Sequence, residues 1–184
     1  NQGLFRYDSD GLVHYPFGDP KLPDQGNPQC LCVDRSGRLW VGTNGKGVYL
    51  YNRENDKFTQ YLGDNSGETL FGENIYKMCD YGDELVIGIH EGKLRKLNKR
   101  KNILTDVNAP EVHYKIIRDV ACFDDELWVG TQSGVYVINE LKNKISHIYN
   151  DPMCSYSLSD NQIGRIYRDR ENGIWIGTNL GGVN

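Results

Sequence analysis

The chain has 184 residues and 21.0 kDa, 38% hydrophobic and 25% charged, proportions that exclude a disordered chain. Its net charge of −4 and the lack of a sustained basic block argue against a nucleic-acid partner. No apolar run approaches the length of a membrane span, so membrane attachment would need parts absent from this chain.

In chain order, Gly3-Leu4-Phe5-Arg6-Tyr7 and residues 12–15 read as two short strands, joined by Asp8-Ser9-Asp10-Gly11. That turn looks like the start of a calcium loop. Asp and Gly are favoured there by turn geometry alone, and the loop's closing glutamate is missing. From residue 29 the pattern becomes four strands to a unit, termed A to D. The first unit reads 29–34, 39–43, 47–51 and 58–62. The second reads 75–81, 85–89, 92–97 and 101–105. The third reads 117–123, 127–131, 134–138 and 144–149. A fourth begins with 163–169 and 174–178, and Gly182-Val183-Asn184 opens its third strand.

The B strands carry a repeated motif: Leu39-Trp40-Val41-Gly42-Thr43, Leu127-Trp128-Val129-Gly130-Thr131 and Ile174-Trp175-Ile176-Gly177-Thr178. Leu85-Val86-Ile87-Gly88-Ile89 keeps the pattern without Trp and Thr. The motif glycines are 46, 42 and 47 positions apart, and all three tryptophans occupy one motif column. A four-stranded unit at this period is the signature of a propeller blade. The apolar motif runs suit strands covered on both faces, with Trp filling the space between blades and Gly letting backbones approach.

The expected fold is therefore all-β, a β-propeller of four-stranded antiparallel blades with about four repeats. Its parts are 1–15 (strands C and D), complete blades 28–62, 75–106 and 116–149, and 163–184 (strands A and B and the start of C). Two arrangements fit: a four-bladed ring closed by joining the two end pieces, or an arc of a larger, seven-bladed-type ring. The second is preferred, because the chain opens and stops inside a unit. Such an arc exposes an apolar blade face at each end, which leads to an expectation of self-association or a homodimer.

The run Ile163, Ile166, Asp169, Gly173-Ile174-Trp175-Ile176-Gly177-Thr178 and Gly181-Gly182, with the preceding linker 151–161, resembles the two-component regulator propeller repeat. The first unit resembles it through Asp34-Arg35-Ser36-Gly37-Arg38-Leu39-Trp40-Val41-Gly42-Thr43, and the unit around Gly88 only weakly. The resemblance implies the periplasmic sensor region of a bacterial hybrid sensor histidine kinase. It further implies a response to oligosaccharides, with the kinase chemistry elsewhere in the parent protein.

Chemistry-bearing clusters are sparse. His14 and His147 fall at equivalent places on D strands, expected to be structural or solvated, and neither His90 nor His113 has a partner at ligand spacing. Cys30, Cys32, Cys79, Cys122 and Cys154 read as small hydrophobes within strands, with at least one thiol left over. No glycine pair precedes a helix and no nucleophile elbow appears, so no enzyme activity, cofactor or metal is expected. The alternatives are a propeller enzyme such as a lyase, or a protein-interaction scaffold. Ligand contact is expected on the D-to-A linkers 63–74, 106–115 and 150–162, which emerge with the B–C turns at one end. Tyr114 and Tyr156 could stack on a sugar ring, with Asn74, Asn108 and Asn161 as hydrogen-bonding neighbours.

Overall fold

The computed structural model describes residues 3–17, 26–61 and 69–184. Leu62 and the first part of linker 63–74 lie outside the described residues. Among those described, the regular structure is strand, with two 3-10 turns. Among the described residues, no helix is long and apolar enough to cross a membrane.

β1 (Gly3–Asp8) and β2 (Gly11–Pro16) form a two-stranded sheet. The first complete blade contains β3 (Pro28–Val33), β4 (Leu39–Thr43), β5 (Val48–Asn52) and β6 (Lys57–Tyr61). The second contains β7 (Ile75–Tyr81), β8 (Glu84–Ile89), β9 (Leu94–Asn98) and β10 (Ile103–Asp106). The third contains β11 (Ile117–Phe123), β12 (Glu126–Thr131), β13 (Gly134–Asn139) and β14 (Lys144–Ile148). The last sheet has three strands, β15 (Ile163–Arg168), β16 (Ile174–Thr178) and β17 (Gly182–Val183). Every pairing is antiparallel, in sequence order. The first strands β3, β7, β11 and β15 lie against one another in turn, so they form the inner side of a stack of blades. The propeller architecture is as the repeat foretold. The two end pieces remain separate sheets and do not join into one blade.

The motif residues have distinct jobs. Trp40 stands opposite Cys32 and Leu50 in its sheet, and Trp128 opposite Ala121 and Val137. Each indole packs on the following blade, Trp40 in the cluster with Ile75, Met78 and Leu85, Trp128 in that with Ile163 and Ile166. The motif threonines close the B–C turn. Thr43 Oγ1 donates to Gly47 O at 2.7 Å, Thr131 to Gly134 O at 3.0 Å and Thr178 to Gly182 O at 3.0 Å. Where Thr is lost, at Ile89, a 3-10 turn (His90–Gly92) takes its place.

One expectation about these seats needs correction. The three indoles occupy equivalent register positions, but only Trp40, at 3% exposure, is fully wedged between blades. Trp175 is 50% exposed, because the described residues place no blade over its face. At the opposite end, Leu31 and Val33 of β3 are exposed for the same reason.

The A–B turn is built around an aspartate. Asp34, its side chain fully buried, accepts from the backbone N–H of Ser36 and Arg38, from Arg38 Nε and from Trp40 Nε1 at 3.0 Å. Asp169 repeats this with Glu171, Gly173 and Trp175 Nε1 at 2.5 Å. Burial raises the carboxyl pKa of Asp34, but the Trp40 and Arg38 hydrogen bonds outweigh it, so the folded value lies below the ordinary one. The unfolded chain then binds this proton more readily. The stabilisation is full above the unfolded aspartate value near ~4 and is lost as pH falls from there through the lower folded value. Thermal midpoints between pH 6 and pH 3 should fall more steeply for the parent chain than for Asp34→Asn. Equal slopes would remove this assignment.

The cysteines also depart from expectation. Cys79 on β7 and Cys122 on β11 form a disulfide between the second and third blades, with Cα atoms 6.2 Å apart. Cys30, Cys32 and Cys154 are free. The bridge sits where the tryptophan is missing: Cys79 stands opposite Val86, which fills the Trp column of the second blade, and all three residues share one core cluster. A covalent link thus occupies the one complete blade interface without an indole.

Candidate functional site

Departures from the repeat concentrate in the second blade, and two of them, Lys93 and Arg95, meet in one groove. Strand β9 carries Arg95 in the column where β5 has Tyr49 and β13 has Tyr136, as the pairing to the motif strand shows. Lys93 precedes it where the other blades have Gly47 and Gly134. Both line a groove of about 610 Å³, walled by the first linker (Glu73), the end of β10 (Asp106) and the second linker (Asn108, His113). The groove is therefore at the linker end of the blade.

Its charges are paired across its walls. Arg95 Nε lies 3.0 Å from Asp106 Oδ1, its Nη1 donates to the Thr69 carbonyl at 3.4 Å, and Lys93 Nζ is 3.6 Å from Glu73. Asp106 remains largely exposed while Arg95 is buried. The groove thus presents fixed donors and acceptors of both signs with little net charge. Such a surface suits a neutral, hydroxyl-rich ligand better than a strongly charged one.

The second linker is tightly fixed. Gly92 has φ +78°, and a β-carbon there would lie 2.0 Å from the Val112 carbonyl oxygen, so only glycine lets the B–C turn and linker meet. Beyond a 3-10 turn (Pro110–Val112), Tyr114 adopts φ 61° with its ring 87% exposed and edge-on to His113. A left-handed backbone at a bulky aromatic costs roughly 1–3 kcal/mol, and such strain gathers at functional loops.

Of the residues named from sequence, the groove gathers Asn108, with Tyr114 next to lining His113. Asn74 immediately precedes β7, its carbonyl accepting from His90 N at 3.1 Å. Asn161 Oδ1 accepts from Asn150 N and its carbonyl from Gly134 N, which ties the third linker to the β12–β13 turn. Tyr156, 98% exposed, stands on that third linker and lines no part of the groove. Sequence reasoning missed Lys93, Arg95, Glu73 and Asp106. The available signal was the basic pair replacing glycine and tyrosine in the repeat columns.

The histidines are structural where they stack. His147 lies between Tyr136 at 4.2 Å and Tyr149 at 4.9 Å, with Nε2 2.7 Å from Ser133 O, and His14 stacks on Phe5. On the inner strands, Asp119 is buried against Lys77 at 3.9 Å and Arg165 at 3.6 Å, and accepts from Ile166 N. Among the described residues, no group of three or more His, Cys, Asp or Glu could hold a metal ion.

Residues 21–45 and 157–180 match the two-component regulator propeller family. The chain is 28% identical over 159 residues to histidine kinase P4 of Formosa agariphila, covering 82% of this chain and 12% of that protein. The structure is similar to the extracellular domain of the putative hybrid two-component system BT4673 from B. thetaiotaomicron. The TM-score is 0.78 and the identity 25%, over 99% of this chain and 24% of that one. It also shares the fold of the corresponding BT3049 domain, with TM-score 0.55 and 20% identity, over 98% of this chain and 30% of that one. The chain thus spans a minor part of each relative. The chain is thus a β-propeller whose first complete blade and last sheet carry segments that match the two-component regulator propeller family.

Proposed function

We propose that this chain is part of the extracytoplasmic sensor propeller of a bacterial hybrid two-component system, binding an oligosaccharide in the groove of the second blade. The observation that carries the site is the coincidence of the blade that breaks the repeat with a groove lined by paired charged groups, beside which stands the strained, exposed Tyr114. Repeats that serve packing alone keep their columns, whereas departures from local consistency gather where function competes. Its similarity to histidine kinase P4 and to the extracellular domain of BT4673 supports the sensor context. The Cys79–Cys122 bridge supports an oxidising compartment such as the periplasm. In this reading the module is non-catalytic, and ligand binding is passed on by the parent protein.

Isothermal titration of the chain with a panel of neutral and uronic-acid oligosaccharides is the test. A neutral oligosaccharide should bind, and Asn108→Ala and Tyr114→Ala should each weaken it roughly tenfold, the loss of about 1.4 kcal/mol. Tyr156→Ala should leave it unchanged. Silence across the panel, with circular dichroism showing an intact sheet fold, would end the glycan assignment.

A further inference from the structure

One seat of the repeat changes its chemistry in the second blade. On the outermost strands, the column facing Phe5, Tyr49 and Tyr136 holds His14, Gln60 and His147. Two of these brace the B–C turn of their blade. Gln60 Nε2 donates to Lys46 O at 2.7 Å, and His147 Nε2 lies 2.7 Å from Ser133 O. The neighbouring strand opens with glycine to leave room. A β-carbon on Gly134 would lie 3.0 Å from His147 Nε2, and one on Gly3 2.6 Å from His14 Nε2.

In the second blade the same two seats hold Asp106 and Lys93. An ionised carboxylate only accepts, so Asp106 cannot take over a bond to a turn carbonyl. Lys93, with φ −77°, needs none of the backbone freedom of glycine. The seat is thereby released from bracing the turn. Asp106 instead stands on the groove with its side chain 82% exposed, while Arg95 behind it is buried. Arg95 is anchored on the Thr69 carbonyl and holds Asp106 Oδ1 at 3.0 Å from its Nε. Ion pairs with an exposed partner contribute little to stability. What this one secures is a carboxylate at a fixed place, open to donors from solvent.

We propose that Asp106 is the specificity residue of the groove, accepting two adjacent hydroxyls of one sugar ring, and that Arg95 is the positioning residue that aims it. The inference rests on the oligosaccharide reading of the groove and narrows it to chains with a free vicinal diol on the docked ring. Charge-assisted, paired hydrogen bonds of this kind fix both geometry and affinity. Pyranose chains linked through the fourth hydroxyl leave the second and third free on every ring. Chains linked through the third have no adjacent pair on their internal rings, and would leave a carboxylate oxygen desolvated and unpaired.

Isothermal titration of the present chain with cellotetraose, mannotetraose, xylotetraose and laminaritetraose is the test. At least one of the first three should bind, roughly tenfold or more tighter than laminaritetraose, which is linked through the third hydroxyl. Asp106→Asn should weaken that binding roughly tenfold and erase the preference over laminaritetraose. Its thermal midpoint should stay within ~2 °C of the parent's, because the group is exposed. Arg95→Leu should also shrink the preference, and Arg95→Lys should restore part of it, which a merely structural role would not do. The proposal is overturned if Asp106→Asn keeps the parent's affinity and preference, or if laminaritetraose binds as tightly as the others. In either case oligosaccharide binding itself stands. Silence of all four sugars overturns the proposal too, and the wider panel then decides the glycan reading by itself.

Discussion

Replacing Cys79 and Cys122 together by alanine should destabilise the protein by about 2–4 kcal/mol and lower its thermal midpoint by roughly 10 °C. The bridge spans 43 positions, so it removes substantial loop-closure freedom from the unfolded chain. It also closes the interface where Val86 replaces an indole, and the folded state loses that tie as well. Alanine is the right replacement, because serine would bury two hydroxyls among Val120, Val129 and Leu127. A reductant such as TCEP should lower the parent midpoint toward the variant's and leave the variant unmoved. Peptide mapping without reduction should recover Cys79 and Cys122 in one linked species. Equal midpoints for parent and variant would show that the bridge contributes nothing.

The second large effect is a contrast within one motif column. Trp40→Ala should cost about 3–5 kcal/mol, the range for truncating a fully enclosed aromatic. It removes the plug between the first and second blades and takes away one of four donors on buried Asp34. Trp175→Ala, at the same register position with the same aspartate partner, should cost about 1 kcal/mol or less. Urea unfolding of the two variants decides it. Comparable losses would mean that the indole acts through its hairpin, and not through the next blade.

The architecture was legible because every blade solves the same burial problem with the same residues. Trp40, Trp128 and Trp175 mark a seat, Gly42, Gly130 and Gly177 a socket, and Thr43, Thr131 and Thr178 a turn closure. The disulfide was not legible in that pattern. Cys79 and Cys122 fall in adjacent columns, since Cys79 pairs with Val86 and Cys122 with Leu127, one place beyond the Trp column. Aligned by repeat, they never coincide. In a pleated strand, however, adjacent columns face opposite ways, so one points to the next blade and the other back to the previous one. The uncovered Trp175 depends on what lies beside the last sheet, which no local pattern records. The groove was half legible. Asn108 and Tyr114 were found as linker residues, but the Arg95–Asp106 and Lys93–Glu73 pairs require two linkers and a strand to meet.

The position of the bridge along its strands has a mechanical consequence. Cys79 and Cys122 lie near the ends of β7 and β11 that run into the A–B hairpins, on the inner strands, away from the linker end. Blades two and three are thus tied covalently at the base of the fan, and at the linker end by packing and by the linker itself. A relative motion that kept this covalent tie would act at the other end, on the packing where residues 106–115 cross from one blade to the next. A ligand wedged beside that crossing would work on the long arm of a lever.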